Sequence, residues 1–415
     1  MSTRPLNRTG HLSTPLYEAL AAASDDRIVY DLGGIRQQYE TLTWELPDVA
    51  VRFAMKACPV DEVLACLAEL GAGFDAAGPH EIERAIRTGV PAGRIHYGNT
   101  IKSDRNIGDA YRLGVRDFAT DSVEDVTAIA AHAPGARVFC RLATSGEGAL
   151  WGLSKKFGCS GTDAVRVLET ARATGLTPAG LSVHVGSQQM TAEAWESAFA
   201  SLAGVLAALR GRGIQLDHIN LGGGLPALGY LDSRGRPLDP PLDKIFAAIR
   251  EGIRQLRAVS GTPLDFVMEP GRHLVADHGA IRAHVARLST REQLNGERQH
   301  WLYLSCGKFN GLYEMDQLQY RLVFPSHPGA PSVPAVVAGP TCDSDDAYAH
   351  EHRLVQVPEA VASGDPVWVL SSGAYATSYA TQGFNGFSPL PYTVIRGLPS
   401  GSGTSTPGSA TEDLP

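Results

Sequence analysis

Lys56 closes the run Val51-Arg52-Phe53-Ala54-Met55-Lys56, in which the five residues before the amine read as a buried strand. Lysine pKa falls readily on burial, and a desolvated amine is the form that makes Schiff bases. A solvated surface lysine is the ordinary alternative. The weight shifts because later apolar runs also end in chemistry-bearing residues: Asp75, Arg141, His184, the run Gly222-Gly223-Gly224, and Glu269-Pro270-Gly271-Arg272. Each has a plainer reading. The glycine run lacks the G-x-G-x-x-G spacing of a dinucleotide site and serves equally as a tight turn, or as backbone that approaches a phosphate closely. His184 suits a core histidine, or a ring laid against a planar ligand, with the Ser187 hydroxyl nearby for a phosphate. Glu269 is a helix-start carboxylate or the partner of a protonated ring nitrogen, and Arg272 a surface arginine or a phosphate ligand. Taken together they are the parts that hold pyridoxal 5'-phosphate (PLP): a lysine for the aldehyde, a carboxylate for the pyridine nitrogen, and glycine turns with an arginine for the phosphate.

The elements that must position them alternate. Short apolar runs at 51–55, 72–75, 95–97, 117–120, 138–141, 181–185, 218–221 and 264–268 read as strands. Between them, 61–71, 79–87, 122–131, 191–211 and 242–259 carry apolar residues at helical spacing. Eight strands separated by helices fit a (β/α)8 barrel, with a doubly wound open sheet as runner-up. In such a barrel the C-terminal strand ends form one rim, which is where the residues above fall. After about residue 275 the runs 284–288, 301–305, 335–338 and 366–370 are strand-like and separated by turn-rich segments, so a mainly β second domain is expected. The division expected is an N-terminal segment 1–35, whose strand 28–32 joins the β domain, a PLP-binding barrel 36–275, a β domain 276–396, and a disordered Gly/Ser/Thr/Pro-rich tail 397–415.

Composition narrows the function classes. A net charge of −8 disfavours nucleic acid and anionic membrane as partners. No run approaches the length of a membrane span, and residues 1–12 show no secretory pattern. The six cysteines form no C-x-x-C pair, so neither a zinc site nor a redox dithiol is expected; no metal is expected at all, and reduced thiols in a cytoplasmic protein are the natural reading.

The chain resembles the fold-type III PLP-dependent decarboxylases, the ornithine/diaminopimelate/arginine decarboxylase family, and is most similar to bacterial ornithine/lysine decarboxylases. The matching pieces are FAMKACP (53–59), GAGFDAAGPHEIE (71–83), HVGSQ (184–188), LGGGLP (221–226), EPGR (269–272), GPTCDSDD (339–346), GAY (373–375) and FNGF (384–387), in family order. The resemblance implies a barrel of the alanine-racemase type with a β domain. It implies that Lys56 holds PLP as a Schiff base, that Asp75 and Glu81 are the acidic pair following that lysine, and that Arg141 lies near the cofactor. His184 stacks on the ring and Glu269 pairs with its nitrogen. Ser187, Gly222, Gly223, Gly224, Gly271, Arg272 and Tyr375 surround the phosphate. Cys342 and Asp343 come from the second subunit of a homodimer, the thiol to protonate the carbanion and the aspartate to meet the substrate's distal ammonium. Phe384 lies beside the substrate. A thiol with a pKa near about 8.5 suits proton delivery at neutral pH.

Some positions depart from the pattern. Diaminopimelate decarboxylases carry glutamate where Asp343 stands, so a basic amino acid with a free distal amine is favoured. Animal ornithine decarboxylases have Tyr-Asp-His where this chain reads Leu312-Tyr313-Glu314-Met315-Asp316-Gln317, so Glu314 or Asp316 supplies the second distal acid. In the segment 150–158, Gly152 replaces a usual arginine. The activity implied is decarboxylation of ornithine or lysine to the diamine. The alternatives are a decarboxylase of a modified amino acid, a PLP racemase or epimerase, against which the Cys342-Asp343 pair argues, and a non-catalytic regulatory homologue.

Overall fold

The protein is described from a computed structural model covering residues 12–152, 155–348 and 354–396. The tail expected to be disordered lies outside the described residues. In chain order the strands are β1 (Arg27–Asp31), β2 (Val49–Ala54), β3 (Gly73–Ala76), β4 (Ile95–Tyr97), β5 (Asp117–Thr120), β6 (Arg137–Arg141), β7 (Ala149–Trp151), β8 (Thr177–Ser182), β9 (Ser187–Gln189), β10 (His218–Asn220) and β11 (Asp265–Met268). There follow β12 (Gly279–Glu292), β13 (Arg298–Leu304), β14 (Leu322–Val323), β15 (Ser332–Ala338), β16 (Val355–Pro358), β17 (Pro366–Val369) and β18 (Tyr392–Ile395).

Strands β2, β3, β4, β5, β6, β8, β10 and β11 pair in parallel and close a barrel, the last seam joining Val267 to Ala50. These are the eight runs expected from the sequence, with shifted ends. The first stops at Ala54, and Lys56 sits in a 3-10 turn, Met55–Ala57. The sixth begins earlier, at Thr177, and ends at Ser182, which leaves His184 beyond the strand on the rim. Such strands are covered on both faces, and Phe53, Phe74 and Phe118 are fully buried.

The connecting helices start where their caps dictate. Ser103, Ser122 and Ser160 each accept a hydrogen bond from the backbone N–H three residues on, opening helices Asp104–Arg112, Val123–His132 and Gly161–Ala173. Pro79 occupies the first turn of Pro79–Arg87, where its missing N–H costs nothing. Lys102 shows how the rim is braced. Its buried ammonium donates to the Asn99 and Ala119 carbonyls and to Asp125, so all three donors are used structurally.

The remaining strands build an eight-stranded sheet in the order β14-β17-β12-β13-β15-β16, with β1 beside β12 and β18 beside β1. Strand β1 runs antiparallel to β12, Val29 facing Ala280, and parallel to β18, Val29 facing Thr393. A two-stranded ribbon of β7 and β9 lies apart from both. Among the described residues no helix is long and apolar enough to cross a membrane.

Candidate active site

The barrel rim opens on a cavity of about 540 Å³. Ten of the residues singled out from the sequence line it: Lys56, Arg141, His184, Ser187, Gly223, Gly224, Glu269, Gly271, Arg272 and Tyr375. Gly152, Lys155, Lys156 and Phe157, from the segment after β7, cover one side. Tyr375 belongs to the loop after β17 and donates its backbone N–H to the Ala57 carbonyl at 2.7 Å. It takes a left-handed backbone at φ 65°, a strained conformation for a bulky side chain and the kind held only where surroundings enforce it.

Lys56 lines this cavity and is about half exposed. Its Nζ lies 3.9 Å from Asp75 Oδ2. Burial acts to lower the amine's pKa, but Asp75, then Tyr375 and Glu269, hold it above the ordinary lysine value. The depressed amine expected from a strand-end lysine is therefore not found in the protein by itself, because the buried Asp75 carboxylate stabilises the ammonium.

Glu269 is fixed from two sides. Its Oε1 accepts from Asn220 Nδ2 at 2.5 Å and lies 2.8 Å from His96 Nε2. The same His96 nitrogen is 3.2 Å from Asp75 Oδ1. Asn220 also receives the Gly222 N–H, and the Gly222 carbonyl accepts the Glu269 N–H, so the carboxylate and the glycine turn are built as one unit. Asp75 and Gly222 stand directly behind the cavity rather than on its wall. His96 was not among the candidates, since the reading took strand ends and His96 is the middle residue of β4. A histidine between Ile95 and Tyr97 in a short buried strand was the available signal.

Burial would lower the His96 pKa, but Asp75 and Glu269 outweigh it and raise it. A raised folded-state pKa stabilises the protein fully below the unfolded value of about 6.5, and that contribution is lost as pH rises through the folded value. His96→Gln, which keeps a polar group without the charge, is expected to cost about 2 kcal/mol at about pH 6 and clearly less at about pH 9. Urea midpoints for the two proteins at both pH values check this. A constant difference would mean that the charge on His96 does not matter.

The glycines leave no room for side chains. A Cβ on Gly222, at φ 66°, would collide with the Val183 carbonyl. A Cβ on Gly223 would come within 2.9 Å of both the Glu269 carbonyl and His184 Nε2. His184 Nδ1 accepts the Gly186 N–H at 3.1 Å. Burial, then Arg141 and Lys56, push its pKa well down, so the ring is a neutral flat surface at neutral pH.

Arg272 is buried, and its guanidinium makes a bidentate pair with Glu314, 2.5 Å on each arm. It also donates to Ser187 Oγ at 3.2 Å and 3.3 Å and to Tyr230 Oη at 3.1 Å, and lies over the Tyr375 ring at 4.8 Å. This corrects one expectation. Glu314, one of two acids considered for the substrate's distal amine, is committed to Arg272 instead. Its partner lies 42 residues away in sequence, so only tertiary packing reveals the pairing. Asp316 is half-buried and off the cavity wall. Glu81, matched to an acidic pair, accepts the Ala77 N–H at 2.6 Å and serves the start of its own helix.

Cys342, Asp343 and Phe384 are also outside this chain's own cavity. Cys342 is exposed and donates its N–H to Asn385 Oδ1. Asp343 Oδ1 accepts from the Asp345 N–H. Phe384 packs on Phe309 with centroids 4.6 Å apart, and Tyr379 bridges Tyr375 to the exposed Tyr313.

The residues present fit PLP. The cavity has the size of a small-cofactor site. It offers the Lys56 amine, one braced carboxylate, a flat neutral ring, a glycine cradle that any Cβ would fill, and the Arg272 guanidinium with the Ser187 hydroxyl beside it.

A family profile described as the pyridoxal-dependent decarboxylase, pyridoxal binding domain, matches residues 32–276. A lysine/ornithine decarboxylase of Selenomonas ruminantium is 30% identical over 377 residues, covering 90% of each chain. The solved lysine/ornithine decarboxylase of Vibrio vulnificus complexed with cadaverine superposes with a TM-score of 0.80 at 29% identity, over 93% of this chain and 100% of that one. The structure of SrLDC in complex with PLP and cadaverine gives the same TM-score and identity over 93% and 94%.

Proposed function

The chain belongs to the pyridoxal-dependent decarboxylase family, and from that premise we propose that it removes the α-carboxylate of a basic L-amino acid, ornithine or lysine, as CO2 and leaves the diamine. The observation that carries the reading is the meeting on one cavity of Lys56, from the turn after β2, with Glu269 and Arg272, from the turn after β11.

Bound PLP supplies an aldehyde for amines and an electron sink for the carbanion left by CO2. Lys56 would be the amine that holds the cofactor. Glu269 would pair with the ring nitrogen through Oε2, since Oε1 is held by Asn220 and lies against His96. Asn220 and His96 thereby fix the carboxylate's orientation. His184, on the cavity wall, would cover one face of the ring and exclude water from it. Ser187, Gly222, Gly223, Gly224, Gly271, Arg272 and Tyr375 would hold the phosphate, Arg272 then sharing its guanidinium between phosphate and Glu314. Arg141 and Asp75 balance the charge around Lys56.

Cys342 delivers a proton from Sγ to the substrate Cα, and Asp343 accepts the distal ammonium, both supplied by a second copy of the chain. The position of both outside their own cavity, with Cys342 exposed and bonded to Asn385 beside Phe384, supports a homodimer with shared sites. Asp316 is the remaining acid of its loop for the distal end.

A modified amino acid bearing an extra anionic group is the second reading, favoured by one observation. Lys155 and Lys156 join Lys56, Arg141 and Arg272 on the wall, against the single carboxylate of Glu269. CO2 release from a panel of amino acids decides. Ornithine or lysine turning over at least about tenfold better in kcat/KM than acidic or acylated analogues is expected. The reverse order would replace the basic substrate, and deuterium exchange at Cα without CO2 would replace decarboxylation by racemisation.

A further inference from the structure

Two thiols outside the proposed chemistry lie in contact at the foot of the segment that covers the cavity. Cys140 Sγ and Cys159 Sγ are 3.5 Å apart. Cys140 is the penultimate residue of β6, directly before the cavity residue Arg141, and is buried. Cys159 is half-buried and follows the cavity-lining Lys155, Lys156 and Phe157 by two residues. We propose that Cys140 and Cys159 are a redox-responsive dithiol whose oxidation to an intramolecular disulfide anchors the covering segment to the barrel rim.

The backbone already holds the two residues in place. The Cys159 N–H donates to the Arg141 carbonyl at 3.0 Å, and the Ala143 N–H to the Cys159 carbonyl at 2.9 Å, so Cys159 pairs beside Leu142. Cys140 and Leu142, two apart on an extended chain, point to the same side, which sets Cys140 diagonally against Cys159. Gly158 locks the approach, because at φ 90° any Cβ there would press on the Leu142 and Ala143 backbone, and its N–H donates to Asp121. Closing the sulfurs to a bond of about 2.05 Å therefore asks for side-chain rotation more than backbone movement.

The chemistry assigns the roles. Contact with Cys140 lowers the Cys159 pKa, while Cys140 is raised by the same contact and by burial. Cys159, the more acidic and the less buried of the two, is the thiol assigned to meet a peroxide as its thiolate. Its sulfur attacks the O–O bond, giving a sulfenic acid and one water. The Cys140 sulfur then attacks the sulfenic sulfur, the S–O bond breaks, and the departing hydroxide leaves as the second water. Two thiols are oxidised to one disulfide and one peroxide is reduced to two waters, and a thiol reductant reverses the change. The link ties residue 159 to the rim, so residues 155–158 lose the local opening that exposes their backbone.

The test uses PLP-loaded protein treated with hydrogen peroxide. A mass loss of two hydrogens, a cross-linked peptide joining Cys140 to Cys159, and its disappearance on reduction are expected. Tryptic cleavage after Lys155 and Lys156 should slow about threefold or more in the oxidised protein. Cys159→Ser should lose both effects, and Cys342→Ser should keep both. These readouts do not depend on which amino acid the protein acts on. Oxidation that stops at a sulfinic acid on Cys159, or cross-links made only through other cysteines, overturns the disulfide. A linked protein cleaved at the unlinked rate overturns its effect on the covering segment.

Discussion

Lys56→Ala lowers CO2 release by at least about a thousandfold and removes the visible absorbance of the PLP-loaded protein. The size follows from two losses. The amine that positions the cofactor aldehyde is gone, and the buried Asp75 loses its cation 3.9 Å away. The fold survives, because Asp75 keeps His96 at 3.2 Å and the Tyr375 N–H still meets the Ala57 carbonyl. A stability change of no more than about 2 kcal/mol is expected, read by urea denaturation. The same variant tests the shared site. Mixed and re-equilibrated with Cys342→Ala, it should regain about a quarter of wild-type activity, since half of the subunits pair unlike and each unlike pair has one intact site of two. Recovery at the level of either variant alone would place Cys342 and Lys56 in the same subunit's site, or Cys342 outside the chemistry altogether.

What the sequence disclosed and what it hid divide along a physical line. Lys56, Glu269 and the glycine run were legible because a barrel projects its strand ends to one rim, and the alternation of apolar runs locates those ends. The strand boundaries slipped by residues, as at Met55, since a 3-10 turn continues the same apolar pattern as the strand before it. His96 was hidden because it works from inside a strand. Its role depends on which way one side chain of β4 points, and on two carboxylates from β3 and the end of β11 reaching the same nitrogen. The role of Glu314 was hidden for another reason. Its loop belongs to the β sheet, its partner to the barrel, and no periodicity records how the two pack. The Cys140–Cys159 contact ran against expectation, because the cysteines were judged by C-x-x-C spacing, while these two meet through strand pairing across 19 residues.

The Arg272–Glu314 pair leads to the second large effect. Glu314→Gln leaves a buried guanidinium without its counter-charge, while Ser187 and Tyr230 remain as neutral acceptors. Breaking a buried pair from one side costs about 3–5 kcal/mol, most of it the penalty on the charge left behind. That penalty applies to the protein without PLP. With PLP bound, the phosphate dianion faces the same guanidinium and supplies the missing charge, so the loss should shrink to about 1 kcal/mol. The cycle then requires Glu314→Gln to bind PLP more tightly than the wild type, by about 2–4 kcal/mol or roughly thirtyfold to several hundredfold. Urea denaturation with and without PLP, together with PLP titration of the stripped protein, measures all four corners. Inorganic phosphate should reproduce part of the rescue, since it carries the same dianion without the ring. If Glu314→Gln lost the same stability with and without PLP, the phosphate would not share Arg272, and the guanidinium would be a structural clamp between barrel and sheet. The physical trade is specific to this site. On the proposed site, a carboxylate that braces Arg272 would also compete with the phosphate for it, and cofactor affinity would be lower in exchange for a stable unloaded state.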